Sequence, residues 1–109
     1  MEGQVEVKRT GRGGHVSYTE RGGSLRFNWD INAEGEEIYV PPTLEWDAFC
    51  EESGAGWAKG RRAEILERVG QEYCRLRAKK ATWRVGSHWI FISFENYKTH
   101  RFLNWLVGK

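Results

Sequence analysis

Cysteine, proline and methionine are scarce in this chain: two, two and one in 109 residues. Two cysteines, Cys50 and Cys74, are too few for a disulfide scaffold, and their spacing matches no redox or zinc motif. Both are expected as buried free thiols. The prolines are adjacent, Pro41-Pro42, so proline stops a strand at one place only. No apolar run approaches the ~20 residues of a membrane span. None follows the opening Met-Glu-Gly-Gln in the manner of a signal peptide. A reducing, bacterial-type cytoplasm is therefore the expected setting. Neither sign of charge dominates: 17 lysines and arginines face 15 acids, for a net charge of +2. Bulk charge alone therefore does not imply binding to a polyanion. Repeats, linkers and low-complexity stretches are lacking too, so residues 1–109 are expected to form a single domain.

Aromatic residues, by contrast, are plentiful. Six tryptophans are many for this length, and rings of that size must fill a core or make a contact surface. The charges are also unevenly spread. From Pro41 to Gly56 there are four acids (Glu45, Asp47, Glu51, Glu52) and no base; from Arg75 to Arg84 there are five bases and no acid.

The alternation of apolar and polar residues predicts strands. Gln4 to Arg9 carries Val5 and Val7 on one face. His15–Glu20 and Ser24–Ile31 read as a hairpin around Gly22-Gly23. That register sets Tyr18 against Phe27 and Val16 against Trp29, with Ser17, Thr19, Arg26 and Asn28 on the other face. A turn at Asn32–Gly35 returns the chain and places Ile38 beside Trp29. After the prolines, Thr43 is the expected N-cap of a short acidic helix running to Ser53. Gly54-Ala55-Gly56 stops it. A long helix is predicted over Lys59–Lys80, burying Ile65, Leu66, Val69, Tyr73 and Leu76. A second hairpin, Ala81–Val85 with His88–Phe94, is predicted around Gly86-Ser87. It sets Trp83 beside Ile90 on the helix side and Arg84 beside Trp89 on the other. The apolar cluster Phe102, Leu103, Trp105, Leu106 and Val107 suggests a short C-terminal helix from His100.

Five places could carry recognition or chemistry. The outer face of the second hairpin, with Arg84, Trp89 and Phe91, could stack on bases or on a partner's side chains; the plainer account is that the C-terminal helix covers it. Lys59, Arg61 and Arg62 stand where a helix N-terminus disfavours cations. They could bind an anion, although pairing with Glu51 and Glu52 is simpler. Thr10–Gly14, with Arg12, lacks the spacing and lysine of a phosphate loop and reads as a flexible hairpin loop. His15, Asp30 and Glu37 share one sheet face, so they could hold a metal or move protons; a surface ion-pair cluster is the simpler reading. In the acidic helix, Trp46, Phe49 and Cys50 would enter the core and leave Glu45, Asp47, Glu51 and Glu52 to face a partner. Enzyme signatures are weak. The histidines are dispersed, and Cys74 would be a nucleophile only with a base beside it.

Four leading strands, the segment YVPPTLEWDAF, the helix RRAEILERV and the closing hairpin ATWRVGSHWIFISF resemble small single-domain bacterial proteins of the immunity type. Those are cytosolic partners that neutralise polymorphic or contact-dependent toxins. The resemblance implies a non-enzymatic, tight protein-binding role, and it assigns no role to any one residue.

The sequence thus leads to an α+β fold, with a mostly antiparallel sheet of about six strands and one long helix across one face. The leading expectation is a cofactor-free protein-binding module using Glu45, Asp47, Glu51, Glu52, Arg84 and Trp89. A nucleic-acid binder using Arg12, Lys59, Arg61, Arg62, Arg84 and Trp89 is the alternative. A homodimer through the apolar C-terminal segment is a third reading.

Overall fold

The computed structural model of the chain describes residues 3–77 and 81–94. Six antiparallel strands form one sheet in the order β1-β2-β3-β4-β6-β5. They span Gln4–Thr10 (β1), Gly13–Glu20 (β2), Gly23–Asn32 (β3), Gly35–Tyr39 (β4), Ala81–Val85 (β5) and Trp89–Phe94 (β6). Helix α1 (Thr43–Glu52), a single 3-10 turn (Gly56–Ala58) and helix α2 (Arg62–Arg77) lie between β4 and β5. The α+β expectation holds. The expected C-terminal helix lies outside the described residues.

Period-two alternation decides which side of the sheet is dry. Val16, Tyr18, Leu25, Phe27, Trp29, Ile38, Ile90 and Ile92 all face inward and are buried. They meet Ile65, Leu66, Val69 and Tyr73 of α2 in one core. This is the expected face and the expected helix docking. Gly70 allows the closest approach: a Cβ there would stand 2.3 Å from Trp83, so the indole of β5 occupies the space a larger residue would need. Phe27, Trp46 and Phe49 pack at centroid distances of 5.6–6.3 Å, the first two stacked and Phe49 tilted against both, and seat α1 on β3. The Trp46 Nε1–H donates to the Ala58 carbonyl at 2.9 Å and holds the 3-10 turn beneath α1.

Both hairpins differ from expectation by two residues of register. In the first, Arg21 and Gly22 form the turn with φ of 51° and 81°. Two successive positive φ values suit the tight turns that match strand twist. Gly23 therefore belongs to β3, Tyr18 faces Leu25, and Val16 faces Phe27. In the second, the Gly86 N–H bonds to the Trp89 carbonyl at 2.7 Å. The turn is Ser87-His88, Trp83 faces Ile92, and Arg84 faces Phe91 instead of Trp89. A one-residue slip would have exchanged the faces; a slip of two leaves every side chain on its expected side. The pairing of Ile38 with Trp29 is as expected.

Three boundaries also move. Pro42, without a side-chain cap, precedes α1, so Thr43 is its first helical residue and not its N-cap. Helix α2 begins at Arg62, because Gly60 turns with a φ of 73° between the 3-10 turn and the helix. Gly13 and Gly14 are strand residues of β2, not part of a flexible loop; only Gly11-Arg12 turns. Leu76 is 46% exposed rather than buried. It lines an open groove with Val7 and Arg9 of β1, an edge strand with no further strand beyond it among the described residues.

Candidate functional site

Two surfaces carry most of the candidate residues: the outward side of α1 and the outer face of the sheet. On α1, Trp46 and Cys50 point inward, while Leu44, Glu45, Asp47, Ala48, Glu51 and Glu52 are exposed. Two of the four acids are committed internally. The Asp47 carboxylate accepts from the Gly60 N–H at 3.0 Å. Glu51 pairs with Lys59 at 2.5 Å, and that hydrogen bond and charge raise the lysine above its ordinary value. Glu45 and Glu52 have no ion-pair partner among the described residues. Near the N-terminal end of the helix, Leu44 is 97% exposed. It lies two residues before Trp46, about 200° round the helix, so burial of the indole turns the leucine to water.

The basic set is largely occupied. Arg61 donates to Glu20 at 3.0 and 3.2 Å and to Glu64 at 2.8 and 3.1 Å, and its guanidinium lies over the Trp57 ring. Arg62 donates to the carbonyls of Pro41, Gly86 and Ser87 at 2.8–2.9 Å. It ties the α1 entry, the α2 start and the β5–β6 turn together. Burial lowers it from its ordinary value. The cations at the start of α2 therefore have the carboxylate and carbonyl partners that offset an unfavourable helix dipole. Arg12 is exposed at the β1–β2 turn.

No helix among the described residues covers the outer face of the sheet, and its side chains are exposed or half-buried. One row across the strands carries Asp30, Glu37, Phe91 and Arg84 as successive neighbours. The next row pairs Tyr39 with Trp89; these rings are 43% and 44% exposed. Burial, with the charges of Asp30 and Glu37, raises the Tyr39 hydroxyl above its ordinary value. Arg84 and Trp89 thus share one face but not one cross-strand pair.

His15 faces Asn28 while Asp30 faces Glu37. The three share a side as expected, but among the described residues no cluster of three or more His, Cys, Asp or Glu side chains could hold a metal. Cys74 is buried, and burial pushes its thiol up to about 11, helped by the nearby Glu36 charge. That is the opposite of nucleophile activation. Burial likewise raises Cys50.

Sequence reasoning missed Leu44 and Tyr39. Both were accessible to the same periodicities: Tyr39 must oppose the buried Ile38, and Leu44 must oppose the buried Trp46. Comparison with protein-family models, curated proteins and solved structures returns no match. Among the described residues, no helix is long and apolar enough to cross a membrane.

Proposed function

We propose that this chain is a non-enzymatic protein-binding module, of the immunity kind that neutralises a partner such as a toxin, and that α1 faces that partner. One observation carries the reading: a fully exposed leucine stands on a helix whose outward acids Glu45 and Glu52 are free of ion pairs among the described residues. An exposed apolar side chain on a helix that also carries unpaired charge of one sign suits a basic protein surface, which the charges steer and the leucine holds. Asp47 and Glu51 serve this face indirectly, because their bonds to Gly60 and Lys59 fix the loop beside it. Arg84 and Trp89 form a second patch on the far side of the sheet.

The nucleic-acid reading has less support, because Lys59, Arg61 and Arg62 already have partners within the protein. The test compares the wild-type chain with a Leu44→Lys/Glu45→Lys/Glu52→Lys variant. These exposed changes should leave stability within about 0.5 kcal/mol each. A protein retained from the source cell by the immobilised wild type is purified and titrated against both by calorimetry. The expected result is a lysine- and arginine-rich partner that binds the variant at least about tenfold more weakly, a difference of about 1.4 kcal/mol. Equal affinity for both chains would remove α1 from the interface. Retention of nucleic acid alone, with affinity falling steeply in salt, would favour the other reading.

A further inference from the structure

Strand β1 is one edge of the sheet, and its charges are ordered so that it complements itself. We propose that this edge is an interface between two copies of this chain, in which β1 pairs antiparallel with β1 of the second copy about a two-fold axis at Val7. Neither α1 nor its acids take part.

Backbone direction comes first. Gly11-Arg12 is a two-residue turn flanked by the pair Thr10 and Gly13. That pair exchanges hydrogen bonds, and every second pair along the ladder does the same. Gln4, Glu6, Lys8 and Thr10 therefore point their N–H and C=O groups into β2, while Val5, Val7 and Arg9 point theirs outward. No strand among the described residues meets them. A row of unpaired donors and acceptors on an edge strand is a template for another strand.

Charge then selects the register. The three registers that overlap most of β1 and keep its outward groups in phase are centred on Glu6, Val7 and Lys8. The first sets Glu6 against its own counterpart and the last sets Lys8 against its own, like charges directly opposite. Centring on Val7 sets Glu6 against Lys8 of the second copy, twice. These are non-hydrogen-bonded positions, where facing side chains come closest. Both residues are exposed, and neither has an ion-pair partner among the described residues. The other edge strand, β5, carries a single charge, Arg84, and has no such match.

The inner side of the strand adds apolar cover. Val5 and Val7 are half-buried at the margin of the core. The exposed Leu76 lines one groove with Val7 and Arg9. An axis at Val7 joins the grooves of the two copies, so each Leu76 loses water to the other chain. In this register Val5 meets the stem of Arg9, whose Nε–H is held by the Gly11 carbonyl at 2.9 Å.

Sedimentation equilibrium of the full chain over a concentration series reads the assembly. The expected result is a monomer–dimer equilibrium. Val7→Pro removes an outward N–H and spares the β1–β2 ladder, as edge strands allow, and it should leave a monomer. Two exposed charge reversals test the register with the backbone intact, and they decide the matter if circular dichroism shows Val7→Pro unfolded. Glu6→Lys and Lys8→Glu should each weaken the dimer about tenfold, because each creates two like-charged pairs. An equimolar mixture of these two variants should recover association close to wild type, since each supplies the charges the other needs. A single-chain mass at every concentration up to about 1 mM would overturn the proposal. So would a dimer that the charge reversals leave unweakened, or one that they weaken without recovery in the mixture. A mass rising without limit would overturn it in favour of head-to-tail pairing between β1 and β5.

Discussion

The core face of the sheet carries the same four-residue cluster twice, once at each end of α2. At the start of the helix, Glu20 accepts from the Tyr18 hydroxyl at 2.5 Å and from Arg61, which lies over Trp57. At its end, Glu36 accepts from the Tyr73 hydroxyl and, at 2.6 Å, from Arg77, which lies 4.7 Å over Trp29. Each joins a strand carboxylate to a helix-end arginine, so α2 is clamped at both ends. The difference lies in where the tyrosine comes from. Tyr18 is two residues from Glu20 on the same strand face; Tyr73 comes from α2, 37 residues away. The first cluster is a local device with an arginine added, whereas the second is wholly tertiary. The helix dipole separates them further. Glu20 and Glu64 offset a cation at the N-terminus of α2, and Arg77 offsets a carboxylate at its C-terminus.

The largest effect should come from removing the deeper carboxylate. Glu36 is 3% exposed, and its loss would strand Arg77 and the Tyr73 hydroxyl together. Glu36→Ala should cost about 3–5 kcal/mol, the range for breaking a buried pair by deleting one partner. Glu20→Ala should cost less, about 1–3 kcal/mol, because Arg61 keeps Glu64. Urea midpoints of the two variants compare them directly. Equal losses would mean that the clusters are energetically equivalent despite their different construction.

The tyrosines sharpen the contrast. Burial pushes the Tyr18 hydroxyl up to about 12, with its bond to Glu20 and that residue's charge adding to it. Burial, then the bond to Glu36, pushes Tyr73 well above its ordinary value. Tyr73→Phe should cost about 1.5–3 kcal/mol and Tyr18→Phe the lower end of that range, since each deletes one hydrogen bond to a charged group. Thermal melts at pH 7 would show the order. A larger loss at Tyr18 would mean that the local pair dominates.

The same contrast explains what could be read from the sequence. Strand and helix content, the dry face and the docking side of α2 follow from periods of two and 3.6, and these are properties of neighbouring residues. The turns were misplaced by one position each, because Arg21-Gly22-Gly23 and Gly86-Ser87-His88 each offer two possible centres. Face assignment survived because both errors shifted register by an even number. The Glu36 cluster could not be read, since its members are joined only by tertiary pairing. Of the surface, the exposure of the α1 acids and the sheet face that bears Trp89 were legible, but the capture of Asp47 by Gly60 was not. That bond depends on a loop whose path Gly60 sets.

Acid titration should give the smallest difference and the clearest sign. Glu20 lies below the ordinary glutamate value of 4.5, first because Arg61 hydrogen-bonds its carboxylate and further because Tyr18 does, against the opposing effect of burial. A carboxylate held low in the folded protein and ordinary in the unfolded chain stabilises the fold above its unfolded value. That contribution is lost as pH falls through 4.5 toward the folded value. Glu20→Gln keeps much of the shape but has no proton to gain in this range. The variant should therefore be less stable than wild type at pH 7, and the gap should narrow steadily as pH falls below about 5. Glu64, also held low by Arg61, titrates in both proteins, so its direct contribution largely cancels in the comparison. Urea midpoints at half-unit steps from pH 7 to pH 3 would follow the gap. A gap that stayed constant with pH would mean that the charge on Glu20 contributes nothing to the clamp, and that Arg61 holds α2 through Glu64 and the Trp57 ring alone.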